Sequence, residues 1–432
     1  MPLLGRREFL SRAALAGSLP FIAGAAAPAG RPPSSALLDR SRPPGALAAD
    51  ESAWRYVQAA WSVDRSIINL ENGGVQPSPD RVHAAFAEFA RHAHRAPPIT
   101  LNREQLPQIE DVRARVAAAF GCEAEELALT RNTTEGAETV LLGCELSPGD
   151  RVLTTTQDYW RFLNTLKQRV ARDGIEIDTL KLPPPDASAA TVVDTFAAAL
   201  TPRTRLVLIS QLINLTGRML PVRALVELCH SRQIPVLVDG AHGFAHIPAR
   251  RDDLACDYYA TSLHKWLGAP HGTGFLYVRR ERIGSLWPHF PAPAELRDNI
   301  RKFESIGTFS AAPFLAIRTA LDFYGEIGAE HKWSRLRFLR ERWLEPLAHH
   351  PSVIVHLDRG ESSSGALATV KFPGLAAQPL AKWLWERHRI VVRPVDHPEF
   401  SGIRVTPNLY TTSAEIDALS NALRTALREG LS

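Results

Sequence analysis

The sequence predicts an α/β fold with a large, mostly parallel seven-stranded sheet and a smaller α/β region built from the chain termini. Seven short apolar runs alternate with connections that are mostly of helix length, a pattern typical of a parallel sheet covered on both faces. After Phe309 the pattern changes to long Arg-rich helices over 313–348. The chain has 432 residues, 45% of them hydrophobic, which is enough for about two domains.

The predicted strands of the large sheet are bounded by polar or turn-forming residues. The last two runs lie too close together for a helical crossover, so one strand is predicted to be antiparallel. The runs are 127–130, 151–155, 175–180, 206–211, 236–239, 258–262 and 274–278.

The remaining elements complete the predicted domains. Helical periodicity is found at 80–95, 104–120, 188–200 and 413–429, and further short strands are predicted near 353–357, 366–372, 390–393 and 402–405. The simplest partition is a large domain over 66–310 and a small domain formed by 51–65 and 311–432.

The N-terminus is typical of a twin-arginine export signal over residues 1–27. Arg6 and Arg7 precede an Ala-rich, weakly apolar stretch over 13–27, which is too short for a stable membrane anchor. Residues 28–50, rich in Pro, Arg and Ser, are predicted to form a flexible linker. We therefore expect a periplasmic or otherwise exported protein that meets the twin-arginine translocase, the alternative being a disordered tail with a chance arginine pair.

Charge and cysteine content narrow the function classes. The net charge is +4 and the pI is near 8.9, but no basic tract with interleaved aromatic residues indicates nucleic-acid binding. The four cysteines lie far apart without a Cys-x-x-Cys pair. Neither a disulfide framework nor a metal site is expected.

Lys265 is the most informative single residue. The chain contains 50 basic residues, of which only seven are lysines, so a lysine in the mostly apolar segment 262–268 needs a reason. A primary amine can lose its proton in a closed pocket and form a Schiff base with an aldehyde, which a guanidinium cannot do.

Polar groups follow the predicted strands at several strand-to-helix junctions, where ligands bind in parallel sheets. Thr133 and Thr134 open a helix and could form a phosphate cradle or an ordinary N-terminal cap. Tyr159 could stack on a flat heterocycle or belong to the core. Asn214 could offer its amide to a ring hydroxyl or simply form a turn.

Two further junctions supply the remaining groups. Asp239 ends a buried strand; a carboxylate there could keep a pyridine nitrogen protonated, whereas an N-cap role would explain this aspartate alone. Ser262 and His264 could bind a phosphate, and Lys265 an aldehyde. The combination points to pyridoxal phosphate as the cofactor.

These motifs resemble the class V aminotransferase family of fold-type I pyridoxal-phosphate enzymes, most closely its isopenicillin N epimerase-like branch. The strongest matches are the segments 238–242 and 262–268, and the resemblance extends from 69–74 to the C-terminal helix. It implies that Lys265 forms the internal aldimine and that Asp239 pairs with the pyridinium. The other cofactor contacts that it implies are Thr133, Thr134, Tyr159, Asn214, His242, Ser262, His264 and Thr308.

The resemblance also implies a substrate site and a partner. Arg404 matches the arginine that binds the substrate carboxylate, the alternative being an ordinary surface arginine. Asn72 is the second expected substrate-binding residue, and Thr308 would reach the neighbouring phosphate in a homodimer. The segment 392–401 departs from the cysteine desulfurases because it contains no cysteine, which disfavours persulfide chemistry. Tyr410 is followed by two threonines instead of the usual Asn-Thr, so the substrate contacts there are in doubt.

The function expected from this resemblance is chemistry at the α-carbon of an amino acid or an amino-acid-bearing substrate, through an aldimine and a quinonoid. Epimerisation and transamination are both compatible with the motifs. A carbon–sulfur lyase of the cysteine desulfurase-like type and a non-catalytic periplasmic ligand-binding protein are the alternatives.

Overall fold

A computed structural model describes residues 37–351, 353–358, 360 and 363–431. The predicted export signal and the first part of the predicted linker lie outside these residues. The strands are β1 Ile68–Asn69, β2 Leu127–Thr130, β3 Arg151–Thr155, β4 Glu176–Leu180, β5 Thr204–Ser210, β6 Val236–Asp239, β7 Tyr258–Ser262, β8 Gly274–Val278, β9 Ile354–Val355, β10 Ala368–Lys371, β11 Ile390–Val391, β12 Arg393–His397 and β13 Phe400–Val405.

The helices with five or more residues alternate with these strands over much of the chain. They are α1 Pro44–Ala48, α2 Glu51–Gln58, α3 Asp80–Ala93, α4 Ile109–Phe120, α5 Thr133–Gly143, α6 Trp160–Asp173, α7 Ala189–Ala199, α8 Val222–Ser231, α9 Ile317–Ile327, α10 Ala329–Ala348, α11 Ala377–His388 and α12 Ser413–Glu429, together with a π-helix over Thr100–Gln105 and a 3-10 helix over Ile300–Glu304.

Seven strands form the large sheet in the order β2-β8-β7-β6-β5-β3-β4. Strand β8 is antiparallel to both β7 and β2, whereas the other neighbouring pairs are parallel. The predicted mostly parallel seven-stranded sheet is confirmed. The antiparallel member follows from the short β7–β8 connection, which leaves no room for a helix.

Both faces of this sheet are buried, as its nearly continuous apolar runs predict. Successive side chains of a strand point to opposite faces. Along β5, Val207 and Ile209 join one hydrophobic cluster, while Leu206 and Leu208 join another on the opposite face. With both faces covered, the exposed edge at the carboxyl ends of the strands is left for a ligand.

A second sheet has the strand order β12-β13-β10-β9, and β1 pairs separately with β11 in parallel. Its core includes Trp343 of α10 and Leu419 of α12. Trp54 of α2 and Trp333, also of α10, belong instead to the core of the large sheet. Helix α10 therefore contributes side chains to both cores. The predicted partition placed 51–65 and 311–432 in the small domain, but Trp54 and Trp333 pack in the core of the large sheet.

The described part of the predicted linker, residues 37–50, is not an extended spacer. Leu38 and Leu47 are fully buried, and α1 lies within this segment. Arg335 donates to the Ala48 carbonyl over 2.9 Å, and the His331 ring lies 2.9 Å from the carbonyl of Arg42. Composition alone suggested a linker, but two leucines and a set of bound carbonyls attach this segment to α10.

Some element boundaries also differ from the prediction. The second predicted helix begins at Ile109 instead of 104, after a π-helix and a short 3-10 turn that contains Pro107. Proline lacks the amide hydrogen of a regular helical turn, which explains the irregular start. Within the described ranges, no helix is both long and apolar enough to cross a membrane.

Candidate active site

A cavity of about 220 Å³ opens at the carboxyl ends of the large sheet and is also bounded by the second sheet. This volume corresponds to roughly seven water molecules at about 30 Å³ each. The junctions after β2, β3, β5, β6 and β7 all contribute to it. The lining residues are Gly73, Gly74, Asn132, Thr133, Thr134, Tyr159, Phe162, Asn214, Asp239, Ala241, His242, Ser262, His264, Lys265, Arg393 and Arg404.

One end of the cavity is a cradle of hydroxyl and amide groups at the start of α5. Ser262 Oγ accepts from the Thr133 amide over 2.9 Å and lies 2.7 Å from Thr133 Oγ1. The Thr134 amide, in the first helical turn, has no acceptor within the helix. Free amides, hydroxyls and the positive helix end together suit a phosphate.

His264 adds an imidazole to this cradle. Its Nδ1 donates to the Thr273 carbonyl over 3.1 Å, because a carbonyl can only accept. Burial and the nearby Lys265 amine lower the pKa of His264 to about 4. The ring is therefore neutral in the empty cavity, where its Nε2 can only accept. A phosphate bound here would favour the protonated ring, whose Nε2–H can donate to it.

Asp239, at the end of β6, is a buried carboxylate with unused accepting capacity. Its Oδ1 accepts from the Ala241 amide over 2.9 Å, and a carboxylate can accept about four hydrogen bonds. Burial raises the pKa of Asp239 to about 6. A cationic donor entering the cavity would supply both the missing hydrogen bond and the missing charge.

Lys265 lies in the turn after β7, and its Nζ is 3.3 Å from Nε2 of His242. The indole of Trp266 donates to Nδ1 of His242 over 3.2 Å, and an indole N–H can only donate. Burial holds the pKa of His242 well below its ordinary value, so the neutral ring carries its proton on Nε2. That proton faces Lys265 Nζ, which can accept it only in its neutral amine form.

The Lys265 amine loses its proton more readily than an ordinary lysine. Burial lowers its pKa to about 8, with the Asp239 carboxylate acting in the opposite direction. Most of the amine is still protonated at pH 7, but the neutral fraction, which is the form that can attack an aldehyde, is much larger than for an exposed lysine.

Tyr159 follows strand β3, which lies two strands away from β6 in the large sheet, and it directly precedes α6. Its half-buried ring contacts Trp160 and Phe162, with ring centroids 5.8 and 5.4 Å away. The preceding Asp158 fixes this junction, because its carboxylate accepts from both Thr155 and Ser210. The ring is thus held at the cavity wall by a rigid turn.

The other end of the cavity is formed by the second sheet. Arg404 of β13 is 1% exposed; its Nη1 donates to the Asn214 carbonyl over 2.7 Å, and its Nη2 to the two oxygens of Glu71 over 2.7 and 3.0 Å. Gly73 packs closely here, since a Cβ on it would lie 3.1 Å from Arg404 Nη2. Arg404 therefore has an internal carboxylate partner.

Sequence reasoning missed Arg393 and Glu71. Arg393 of β12 lies directly opposite Arg404 in the β12–β13 ladder, and its Nη1 is 3.6 Å from Glu71. The available signal was that the predicted strands near 390–393 and 402–405 each contain one of the two arginines. The sequence did not show how many residues form the turn between these two strands. It therefore could not show that Arg393 and Arg404 lie opposite each other.

Two predicted site residues are not brought to the cavity by this single chain. Asn72 is 1% exposed and its amide is taken up by the carbonyls of Asn69 and Thr406 and the hydroxyl of Tyr410. Thr308 is exposed. Their predicted roles stay predictions.

The donor set fits pyridoxal phosphate. The cradle suits the phosphate, the partly unpaired Asp239 carboxylate suits the ring nitrogen, and the buried Lys265 amine suits the aldehyde. Each of these three sites requires a different chemical group of the ligand. Pyridoxal phosphate carries all three, namely a phosphate, a ring nitrogen and an aldehyde.

Comparisons with known proteins place the chain in a family. The aminotransferase class-V family matches residues 68–419. Isopenicillin N epimerases from Streptomyces clavuligerus and Amycolatopsis lactamdurans are 31% and 33% identical; each match covers 86% of this chain and 97% or 98% of the relative.

The fold has solved counterparts. The cysteine desulfurase CsdA of Escherichia coli superposes with a TM-score of 0.75 at 24% identity, covering 87% of this chain and 98% of that one. At this identity the likeness supports the fold alone. With the family match over most of its length, the chain is a member of the class V aminotransferase family of pyridoxal-phosphate enzymes.

Proposed function

We propose that this protein catalyses epimerisation at the α-carbon of an amino acid or an amino-acid-bearing compound. The observation that carries the proposal is the buried Lys265 amine, held beside His242 and near the Asp239 carboxylate in one cavity. When bound, pyridoxal phosphate supplies an electron-withdrawing ring that stabilises the carbanion formed by loss of the α-proton.

The chain's own residues divide the remaining work. Lys265 would hold the cofactor and, once displaced by the substrate amine, would accept the α-proton on one face of the substrate. A proton that originates from solvent then returns to the opposite face of the α-carbon, which completes the epimerisation. Asp239 keeps the ring nitrogen cationic, and Thr133 and Ser262 orient the phosphate. His242, with its proton on Nε2, donates toward the reacting end and does not compete as a base.

Epimerisation is favoured over the cysteine desulfurase-like reaction by two observations. The epimerase relatives are 31% and 33% identical over nearly their whole length, whereas cysteine desulfurases that match over a similar share are 25% to 28% identical. The segment 392–401, which contains no cysteine, forms most of the β12–β13 hairpin. Of the four cysteines, Cys229 and Cys256 are buried, and burial raises the pKa of each to about 12, so neither is a nucleophile.

The test is deuterium uptake. Purified enzyme is incubated in D₂O with a panel of L- and D-amino acids, and proton NMR with chiral chromatography follows the products. Epimerisation predicts deuterium at the α-carbon together with the opposite enantiomer.

The other outcomes separate the alternatives. An oxo acid would indicate transamination, and pyruvate with sulfide would indicate the lyase. If a yellow enzyme produced no exchange across a wide panel, a ligand-binding protein would replace the enzyme proposal. Lys265→Ala serves as the inactive control.

We also propose a homodimer in which Thr308 reaches the neighbouring phosphate cradle. Exposed aromatic side chains support a protein partner, because aromatic residues are enriched at protein–protein interfaces. Trp160, Trp287 and Phe290 are 51%, 64% and 49% exposed. Sedimentation analysis should give twice the chain mass, and Thr308→Val should weaken cofactor binding without dissociating the dimer.

Export by the twin-arginine pathway is a further proposal, supported by the arginine pair at 6–7 and the Ala-rich stretch that follows. The double substitution of Arg6 and Arg7 to Lys should leave the precursor in the cytoplasm. Cell fractionation measures this directly, and continued export would refute the proposal.

A further inference from the structure

Trp266, the residue after Lys265, is a buried side chain whose orientation is fixed by its neighbours. It is 2% exposed. Its indole stacks on the ring of His246, with centroids 3.6 Å apart and planes inclined by 11°, and its carbonyl accepts from Nζ of Lys332. Held in this way, the indole N–H donates to Nδ1 of His242 over 3.2 Å.

His246 is itself fixed, so the stack on Trp266 is a firm support. Its Nε2 accepts from the Ala366 amide over 3.0 Å, and its Nδ1 donates to the His242 carbonyl over 2.8 Å. Burial lowers the pKa of His246 to about 3, so the ring is neutral and both of its nitrogens are in use. A Cβ on Gly365 would lie 2.8 Å from His246 Cε1, which shows how closely the ring is enclosed.

We infer that Trp266 is a positioning residue that acts through His242 to keep the Lys265 amine available for the cofactor aldehyde. Because Nδ1 accepts from Trp266, the neutral His242 ring presents an N–H at Nε2, 3.3 Å from Lys265 Nζ. A hydrogen bond to the neutral amine favours that form, whereas an ammonium would set two donors against each other. The inference goes beyond the proposed function, because capture of the cofactor precedes any reaction of a substrate.

The indole N–H is the group that decides between the two His242 tautomers. With the proton on Nδ1 instead, His242 and Trp266 would turn two buried N–H groups toward each other, and both would lack an acceptor. Nε2 would then be free to accept from the ammonium form of Lys265. Replacing the indole by a phenyl ring removes the obstacle to this second tautomer and should therefore strengthen the hold of Lys265 on its proton.

Several other charged and titratable groups face this pair, and a substitution at Trp266 leaves all of them in place. They are the carboxylates of Asp239 and Glu71, the guanidinium groups of Arg393 and Arg404, and the rings of His246 and His264. The carboxylates favour the ammonium form of Lys265 and the guanidinium groups disfavour it. Because these influences are common to wild type and variant, they cancel when the two are compared.

Competitive labelling with acetic anhydride measures the proton affinity of Lys265 in the cofactor-free protein. Acetylation is followed against pH by peptide mass spectrometry, with the exposed Lys167 as the internal reference. Trp266→Phe should raise the proton affinity of Lys265 about tenfold, which moves its midpoint upward by about one pH unit. The rate at which added pyridoxal phosphate turns the protein yellow at pH 7 should fall by a similar factor.

Two further variants separate this effect from a general loosening of the site. In Trp54→Phe, another buried indole loses its hydrogen bond, here to the Leu47 carbonyl over 2.9 Å, and the Lys265 profile should not move. His242→Phe has neither ring nitrogen. In that background the addition of Trp266→Phe should leave the profile unchanged, because the indole acts only through His242.

An unchanged Lys265 profile in Trp266→Phe overturns the inference, as does an equal shift with and without the His242 ring. If Trp266→Phe does not fold, nitrogen NMR of the wild-type protein with isotope-labelled histidine decides. The His242 signal, identified by its absence in His242→Phe, should show the proton on Nε2, and a proton on Nδ1 refutes the assignment. Failure of the proposed function would be seen separately, as a yellow protein without exchange at the α-carbon.

Discussion

A buried aspartate stands at the carboxyl end of both β3 and β6, but the two carboxylates differ in how many hydrogen bonds they accept. Asp158, just after β3, accepts four hydrogen bonds, from Thr154, from the amide and hydroxyl of Thr155, and from Ser210. Asp239, at the end of β6, accepts one, from Ala241. Burial raises the pKa of both carboxyls. The number of internal partners, and not burial, distinguishes a structural carboxylate from one available to a ligand.

The largest expected effect extends this contrast to two lysines. Burial lowers the pKa of Lys265 to about 8 and of Lys332 to about 7, but Lys332 donates to the Trp266 carbonyl while Lys265 faces the cavity. Lys265→Ala should abolish the yellow colour and all exchange activity. Lys332→Met should stay yellow; a visible spectrum of each purified variant decides.

The next largest effect concerns Asp239. Asp239→Asn should lower the rate of α-proton exchange by about a hundredfold or more, the loss seen when a site loses a preorganised electrostatic partner. The free energy of unfolding of the cofactor-free protein should not fall, because an uncompensated buried charge is removed. A rate within severalfold of wild type would contradict the proposed role.

Asp158→Asn should show the reverse pattern. It replaces an acceptor of four hydrogen bonds with a group that cannot satisfy the same donors, so stability should fall by about 2 to 3 kcal/mol. Urea denaturation measures the loss. The refolded, cofactor-loaded fraction should retain exchange activity within severalfold, and equal stability with lost activity would reverse the assignment of the two carboxylates.

The pH dependence of the cofactor-free protein should reflect Asp239. Its pKa is raised from an ordinary value of about 4 to about 6, so the folded state binds more protons within that window. The stability contributed by protonation is present below about pH 4 and is lost as the pH rises through about 6. Asp239→Asn lacks this loss, so its stability relative to wild type should increase across the window, as denaturation at several pH values would measure.

The smallest effect compares two serines. Ser262 contacts Thr133 in the cradle, whereas Ser210 contacts Asp158. Ser262→Ala should weaken cofactor binding about tenfold, the value of one hydrogen bond to a charged group. Ser210→Ala should leave that affinity unchanged and lower stability by about 1 kcal/mol. Equilibrium dialysis of the cofactor measures the first effect, and an equal loss in both variants would contradict the distinction.

Much of the large sheet was predictable because its strands are short apolar runs ended by polar residues. The predicted groups after β2, β6 and β7 meet in one cavity because parallel strands bring their carboxyl ends to one edge. The roles of Arg393 and Glu71 were not predictable. They depend on how β1, β11 and the β12–β13 hairpin are registered, and a register is set by non-local pairing.

The same limit explains the segment 37–50. Its composition indicates a spacer, but Leu38 and Leu47 are buried and Ala48 accepts from Arg335. Distant residues on α10 make those contacts, and no local pattern encodes them.

By itself, the sequence determined the fold class and which polar residues follow each strand, because both can be read from local periodicity and from the lengths of the connections. Only the tertiary structure decided which charged groups are already paired. Hydrogen bonding is a matter of ångström distances between residues far apart in the chain, as between Glu71 and Arg404, and those distances exist only once both sheets have packed.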